Sequence, residues 1–256
     1  MYEGKSLRDK LRSGDTCLGI FSALTDPCVA EMLSGAGFDF IVIDAEHGAL
    51  DLETVQVNIM AIKGSSTVPL VRVPDVDEVY IKRVLDAGAG GIVVPQVRSA
   101  EDARRAVGAC LYPPSGNRGI GPRRPSNYGP DTAEVLAAAN DHLVIWIQIE
   151  NIQAIEAIDQ IAEIPGLAGL IIGPRDLTVS LGVALQKQHP RVLDAIEKVR
   201  SSAHRAGVPV GMPGLTDPSE AIDWIRKGFQ IAILGNTDGL LLRSSRELVA
   251  AIRKIA

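Results

Sequence analysis

The chain has 256 residues and a formal net charge of −5; 46% of its residues are hydrophobic, 22% charged and only 4% aromatic. That length admits one α/β barrel or two small domains, and the mixed, mildly acidic charge excludes a basic nucleic-acid surface or membrane anchor. With so few aromatics, Ile, Val, Leu and Ala must build the core, which favours parallel strands covered on both faces.

The amino terminus, MYEGKSLRDKLRSGD, is charged and lacks the apolar stretch of a secretory signal. A helix is predicted over 5–12. Short apolar runs then follow at 17–22 (CLGIFS), 38–44 (FDFIVID), 68–73 (VPLVRV), 90–96 (GGIVVPQ), 143–150 (LVIWIQIE), 167–173 (LAGLIIG), 208–213 (VPVGMP) and 230–235 (QIAILG). Most are rich in β-branched residues and bounded by turn formers, the pattern of buried strands. Segments of helical period separate them: 27–37, 50–64, 77–88, 99–110, 151–164, 190–206 and 217–228, with a last helix over 238–254. Gly64, Gly88, Gly207 and Gly228 stand where C-caps belong, and Asp26 and Asp217, each before a proline, where N-caps belong.

Eight strands alternating with helices is the count of a (β/α)8 barrel, an α/β fold expected here to occupy 1–256 as one domain. A doubly wound open sheet is the alternative, but the first strand runs into SALTDP, with no GxGxxG. Residues 111–131, LYPPSGNRGIGPRRPSNYGPD, are too rich in proline and glycine for helix or central strand and read as one long loop. The apolar runs fall far short of the ~20 residues that cross a bilayer. Cys17, Cys28 and Cys110 form no CxxC pair, so no zinc ribbon or disulfide framework is expected, and the cytoplasm is the expected location.

In such a barrel, catalytic groups sit at the carboxyl ends of the strands. Asp44 ends the second strand, with Glu46 and His47 just beyond. Arg72 ends the third and Gln96 the fourth; Gln148 and Glu150 alternate at the end of the fifth; Asp176 follows the sixth. All fall on one rim. Each also has a plainer role open to it. An acid after a strand serves equally as the next helix's N-cap, the role assigned here to Asp51. His142, His189 and His204 read as surface histidines. An arginine inside an apolar strand needs a partner when buried, which points Arg72 towards a fixed anion or a developing negative charge.

Two carboxylates and no thiolate suit a hard divalent cation, Mg2+, Mn2+ or Co2+, held by Glu150 and Asp176. A 2-oxo acid is a natural chelator of such an ion, which would act as a Lewis acid and stabilise an enolate, with Arg72 at the same oxygen. His47, oriented by Asp44, is the expected acid/base, since free imidazole titrates near pH ~6.5. None of the eight lysines lies in a predicted strand or at its carboxyl end, which argues against Schiff-base chemistry, and no G-x-S-x-G elbow is present.

The stretches AGFDFIVIDAEH, PLVRVP, LDAGAGGIVVPQVRSAEDARRAV, YPPSGNRGIG, IQIEN and GLIIGPRDLTVSLG together resemble the HpcH/HpaI family over about residues 15–250. The resemblance implies a metal-dependent, class II pyruvate aldolase acting on a 4-hydroxy-2-oxo acid, with pyruvate and an aldehyde as products. It implies His47 as catalytic histidine and Asp44 as its partner, Arg72 on the pyruvyl oxygen, Glu150 and Asp176 as metal ligands and Gln148 as a substrate contact. It also implies that the Gly173, Pro174, Arg175 and Asp176 turn binds substrate, with backbone N–H groups around Arg175 and Asp176 receiving the pyruvate carboxylate. It further implies a (β/α)8 barrel whose last helix, 238–254, is exchanged between subunits of a homohexamer, a trimer of dimers.

Two features depart from the family pattern: the arginine in GPRD, and Arg123 and Arg124 in the long loop. The arginine pair reads either as a solvated basic loop or as an anion-binding lid, for its own or a neighbouring subunit, gripping a second carboxylate. The lid reading keeps decarboxylation or citrate-type condensation of an oxaloacetate-like substrate as the closest rival activity. A non-catalytic sensor barrel would lack one of His47, Arg72, Glu150 or Asp176, and none is missing. The LGNTDG turn after the eighth strand, a candidate anion nest, reads as structural.

Overall fold

The computed structural model describes residues 4–254, and the apolar runs fold into eight strands. These are β1 (Cys17–Ser22), β2 (Phe40–Asp44), β3 (Val68–Arg72), β4 (Gly91–Val94), β5 (Val144–Ile149), β6 (Gly169–Ile172), β7 (Val210–Pro213) and β8 (Ile231–Asn236). Each pairs in parallel with the next, and β8 closes back on β1, giving a closed barrel in sequential order. The helices are α1 (Gly4–Ser13), α2 (Pro27–Ser34), α3 (Leu52–Ile62), α4 (Glu78–Asp86), α5 (Ala100–Cys110), α6 (Thr132–His142), α7 (Ile152–Glu156), α8 (Ile158–Ala162), α9 (Pro174–Ser180), α10 (Pro190–Ala206), α11 (Pro218–Arg226) and α12 (Thr237–Arg253). This is the expected (β/α)8 architecture.

Local chemistry explains the boundaries. Asp26, Asp51 and Asp217 each accept hydrogen bonds from first-turn N–H groups, as N-caps do. Gly207 ends α10 in the left-handed region at φ 68°, where a Cβ would be strained. His189 caps α10 by accepting the Arg191 N–H at its Nδ1. Three differences from expectation stand out. The single helix over 151–164 is broken at Ala157 into α7 and α8, and 132–142 and 174–180, outside the helical segments read from sequence, are α6 and α9.

Side chains on a strand alternate between faces, so each strand feeds two cores. The inner one fills the barrel. Phe40, Val42, Val68, Leu70, Val144 and Trp146 meet there, with the Phe40 and Trp146 rings edge to face at 4.9 Å. Space for these rings comes from Gly19, where a Cβ would stand 2.1 Å from Phe40, and from Gly169, where one would stand 2.8 Å from Trp146. Leu7 and Leu11 of α1 plug the amino-terminal mouth, and Arg8 Nη1 donates to the Leu143 carbonyl at 2.7 Å beside β5. The outer core of Ile, Val, Leu and Ala lies between barrel and helices. α12 packs Leu240 against that core and leaves Leu241, Leu242, Leu248, Val249 and Ile252 exposed.

Candidate active site

Three strands share one sequence device, apolar–x–apolar–x–polar. Phe40-Val42-Asp44, Val68-Leu70-Arg72 and Val144-Trp146-Gln148 each place two apolar residues in the barrel and a polar one above them. Strand register sets Asp44 directly beside Arg72. The pair is bidentate: Arg72 Nε donates to Asp44 Oδ1 at 2.9 Å and Nη2 to Oδ2 at 2.6 Å. The Phe21 ring lies under the guanidinium, 4.5 Å from centroid to Cζ. Nη1 faces Gln148 Oε1 at 3.4 Å and Glu46 Oε2 at 3.1 Å. Arg72 thus stays fixed at the carboxyl end of β3.

Glu150 follows β5 and is buried. Its Oε1 accepts the Gln96 backbone N–H at 2.7 Å, and its Oε2 accepts from Gln148 Nε2. Gln96 can aim its N–H there because its backbone is left-handed, φ 56°, which is uncommon for a non-glycine residue. Burial pushes the Glu150 carboxyl above the ordinary glutamate range; the bonds from Gln96 and Gln148 oppose this, and the charge of Asp176 adds to it. Gly173 turns the chain directly over this carboxylate. A Cβ there would stand 2.4 Å from Glu150 Cβ and 2.7 Å from Oε2, so no larger residue fits. Pro174 opens α9, and Arg175 and Asp176 lie exposed in its first turn.

A hard divalent cation fits this donor set. A buried carboxylate held partly against its charged form, with a second carboxylate nearby, gains from a positive charge. Among the described residues no group of three His, Cys, Asp or Glu side chains could enclose a metal ion. A protein contribution of two carboxylates leaves the remaining coordination positions to water and substrate, as a catalytic site requires.

The His47 imidazole is 64% exposed at the mouth of the barrel. The expected pairing of its ring with Asp44 is not formed. Asp44 spends both oxygens on Arg72, and its Oδ1 accepts the backbone N–H groups of Glu46 and His47 at 3.2 and 3.3 Å, shaping the turn instead. The carboxylate beside the imidazole is Glu46, with Oε2 3.7 Å from Nε2. Glu46 was assigned no role from sequence; its place next to His47 in DAEH was the available signal, but its burial was not legible.

Arg123 and Arg124 lie elsewhere. Arg124 Nη1 donates to the Ala87 carbonyl at 2.7 Å, and its backbone N–H to the Asp86 carbonyl at 3.3 Å. Both acceptors lie at the end of α4, just before β4, on the rim opposite His47 and Glu150. The loop is anchored there by buried Arg118, which pairs with Asp86 at 2.7 Å and lies over Tyr112. Arg123 is exposed in the same turn. Within one chain the loop forms no lid over the site, because it connects α5 to α6 at the amino-terminal side of the barrel.

The family model of the HpcH/HpaI aldolase/citrate lyases matches residues 18–244. The chain belongs to this family. It is 35% identical over 239 residues to the 5-keto-4-deoxy-D-glucarate aldolase of Escherichia coli O6:H1, covering 93% of this chain and 92% of that one. A crystal structure of an HpcH/HpaI aldolase/citrate lyase family protein from Burkholderia cenocepacia J2315 superposes with a TM-score of 0.93 at 31% identity, over 97% of this chain and 99% of that one. The citrate synthase SbnG superposes with a TM-score of 0.88 at 31% identity, over 97% of each chain. Like its HpcH/HpaI relatives, the protein is a carbon–carbon lyase.

Proposed function

We propose that this family member is a class II, divalent-metal-dependent pyruvate aldolase that reversibly cleaves a 4-hydroxy-2-oxo acid to pyruvate and an aldehyde. The observation that carries the reading is the convergence at one mouth of a single barrel domain. There a buried carboxylate, Glu150, lies under the turn that presents Asp176, near an arginine locked by Asp44. Bound by Glu150 and Asp176, Mg2+, Mn2+ or Co2+ would supply Lewis-acid stabilisation for negative charge developing on a 2-oxo acid.

The chain's own groups account for the rest. First-turn N–H groups of a helix have no intrahelical acceptor, so the Gly173–Asp176 turn can receive the substrate carboxylate. An N–H of the Arg72 guanidinium beyond those given to Asp44 and Gln148 donates to the keto oxygen, where charge accumulates. Gln148, 3.4 Å from Arg72 Nη1, helps to fix the guanidinium. His47 takes the proton of the C4 hydroxyl, the C3–C4 bond breaks, an aldehyde leaves, and the enolate of pyruvate gains a proton at its methylene carbon. Among the described residues no lysine is buried, in keeping with a route that needs no imine.

The deciding experiment is proton exchange at the pyruvate methyl group in D2O. Exchange is expected to require added metal and to be lost in Glu150→Ala and His47→Ala. Exchange indifferent to chelator would refute the proposal. Decarboxylation or citrate-type condensation of an oxaloacetate-like substrate remains the second reading, supported by the likeness to SbnG; product analysis with oxaloacetate against a 4-hydroxy-2-oxo diacid separates the two. The exposed apolar face of α12 supports assembly as a homo-oligomer, a hexamer by family expectation. The three free cysteines support a reducing, cytoplasmic setting. No helix among the described residues is long and apolar enough to cross a membrane.

A further inference from the structure

We infer that Glu46 is the positioning residue for the acid/base group: its carboxylate, and not that of Asp44, orients the His47 imidazole. The inference rests on the reading of His47 as acid/base and deepens it.

Asp44 is committed to other donors. Its Oδ2 takes Arg72 Nη2, and its Oδ1 takes Arg72 Nε and two backbone N–H groups. Among the described residues the His47 ring stands at ion-pair distance from Glu46 and not from Asp44. Glu46 is the opposite case. Its side chain is only 8% exposed, and its Oε2 has no hydrogen bond. Arg72 Nη1 stands 3.1 Å away at ion-pair distance, without the alignment of a hydrogen bond. A buried carboxylate oxygen without a donor is costly, and such groups in folded proteins ordinarily have one. The candidate at hand is His47 Nε2, 3.7 Å from Oε2. The imidazole is largely exposed and free to turn about its side-chain bonds, so a small rotation closes that gap, and catalytic hydrogen bonds commonly shorten only with substrate in place.

The pairing has a chemical consequence. With Nε2–H donated to Glu46, Nδ1 carries the lone pair and is the atom that takes the substrate proton. The charged groups around the Glu46 carboxyl are Arg72 from β3, Glu150 beyond β5, His47 on its own loop and Asp44 from β2. Of the three carboxylates only Glu46 has an oxygen that accepts no hydrogen bond.

The test is 15N-histidine NMR on the full chain, with the His47 signal identified by its loss in His47→Gln, alongside steady-state kinetics of the metal-loaded enzyme. The wild-type ring is expected as the Nε2–H tautomer. Glu46→Gln is expected to lower the His47 titration midpoint by about one pH unit, a tenfold change in proton affinity. It should also lower kcat at least about tenfold with KM within roughly twofold. Glu46→Asp, the conservative variant, should recover part of both. An unchanged midpoint in Glu46→Gln, or an equal shift in Asp44→Asn, overturns the inference. The NMR arm does not depend on turnover, so a wild-type enzyme without metal-dependent cleavage would sink the aldolase reading while the midpoint still judged Glu46.

Discussion

Asp44 and Arg72 occupy paired positions on adjacent strands, and the carboxylate takes two donors of the guanidinium at 2.9 and 2.6 Å, both side chains buried. The arrangement makes Arg72 a fixed cation rather than a mobile one. Removing one member of a buried pair strands the other, at about 3–5 kcal/mol. Asp44→Ala is therefore expected to lose about that much stability in urea unfolding. Arg72→Lys keeps the charge but not the fork, and should lower kcat by about 10²–10³, the usual cost of losing a donor to developing negative charge. A Lys variant with wild-type kcat would show that the fork is not used.

Glu150 makes a prediction about pH. Burial holds its folded carboxyl above the ordinary range, so its charged form opposes folding. Below the unfolded value of about 4.3 neither state carries the charge and the penalty is absent. It grows as pH rises and is complete above the raised folded value. Without metal, wild type should gain stability over Glu150→Gln as pH falls from 7 towards 4.5, and the variant should be at least as stable at pH 7. Excess Mn2+ should reverse that order, adding about 2.7 kcal/mol to wild type at 100 times its Kd and little to the variant. Thermal melts at the two pH values, with and without Mn2+, give the answer.

Gln96 supplies a backbone donor in a conformation that suits glycine better. Gln96→Gly should keep Mn2+ affinity and lose little stability. Gln96→Pro removes the N–H and cannot adopt positive φ, and a hydrogen bond to a charged group is worth about 1.5–3 kcal/mol. Its Mn2+ Kd should rise by roughly 10- to 100-fold in titration calorimetry. Equal affinities in the two variants would remove Gln96 from the site.

Much of this was legible because strands announce themselves by short apolar runs and barrels put polar groups at strand ends. The period-two spacing that brings Asp44, Arg72 and Gln148 above Phe40, Leu70 and Trp146 is a local property, readable residue by residue. What failed was not local. Whether Asp44 turns to His47 or to Arg72 depends on the register between β2 and β3, and a carboxylate three residues from an imidazole carries no sign of its direction. α6 was hidden because the proline-rich stretch before it dominated the reading and its own polar residues give a weak apolar stripe. Arg124 looked like a ligand group because a guanidinium capping a distant helix end leaves no mark in its own segment.

α12 offers Leu241, Leu242, Leu248, Val249 and Ile252 to solvent in the single chain. An apolar face of this kind is what an association surface presents, and α12 is where the proposed homo-oligomer would form. Leu241→Glu with Leu248→Glu should shift the oligomer towards smaller species in light scattering without changing the far-ultraviolet dichroism of the barrel. An oligomer of unchanged mass would place the interface elsewhere.

The two loop arginines should separate cleanly. Arg124 bonds the Ala87 carbonyl beside Gly88, so Arg124→Ala removes a C-terminal cap from α4. It should cost about 1 kcal/mol in urea unfolding, with the ratio of kcat/KM for diacid and monoacid substrates unchanged. Arg123 is exposed on the rim opposite its own site, so it can reach a substrate only across a subunit boundary. If it does, Arg123→Ala will lower kcat/KM for diacids more than for monoacids, and the Leu241→Glu, Leu248→Glu variant will show the same loss with Arg123 intact. A diacid preference that survives both changes assigns the basic loop to solvent and leaves the choice of acceptor to groups at the carboxyl-end mouth of the barrel.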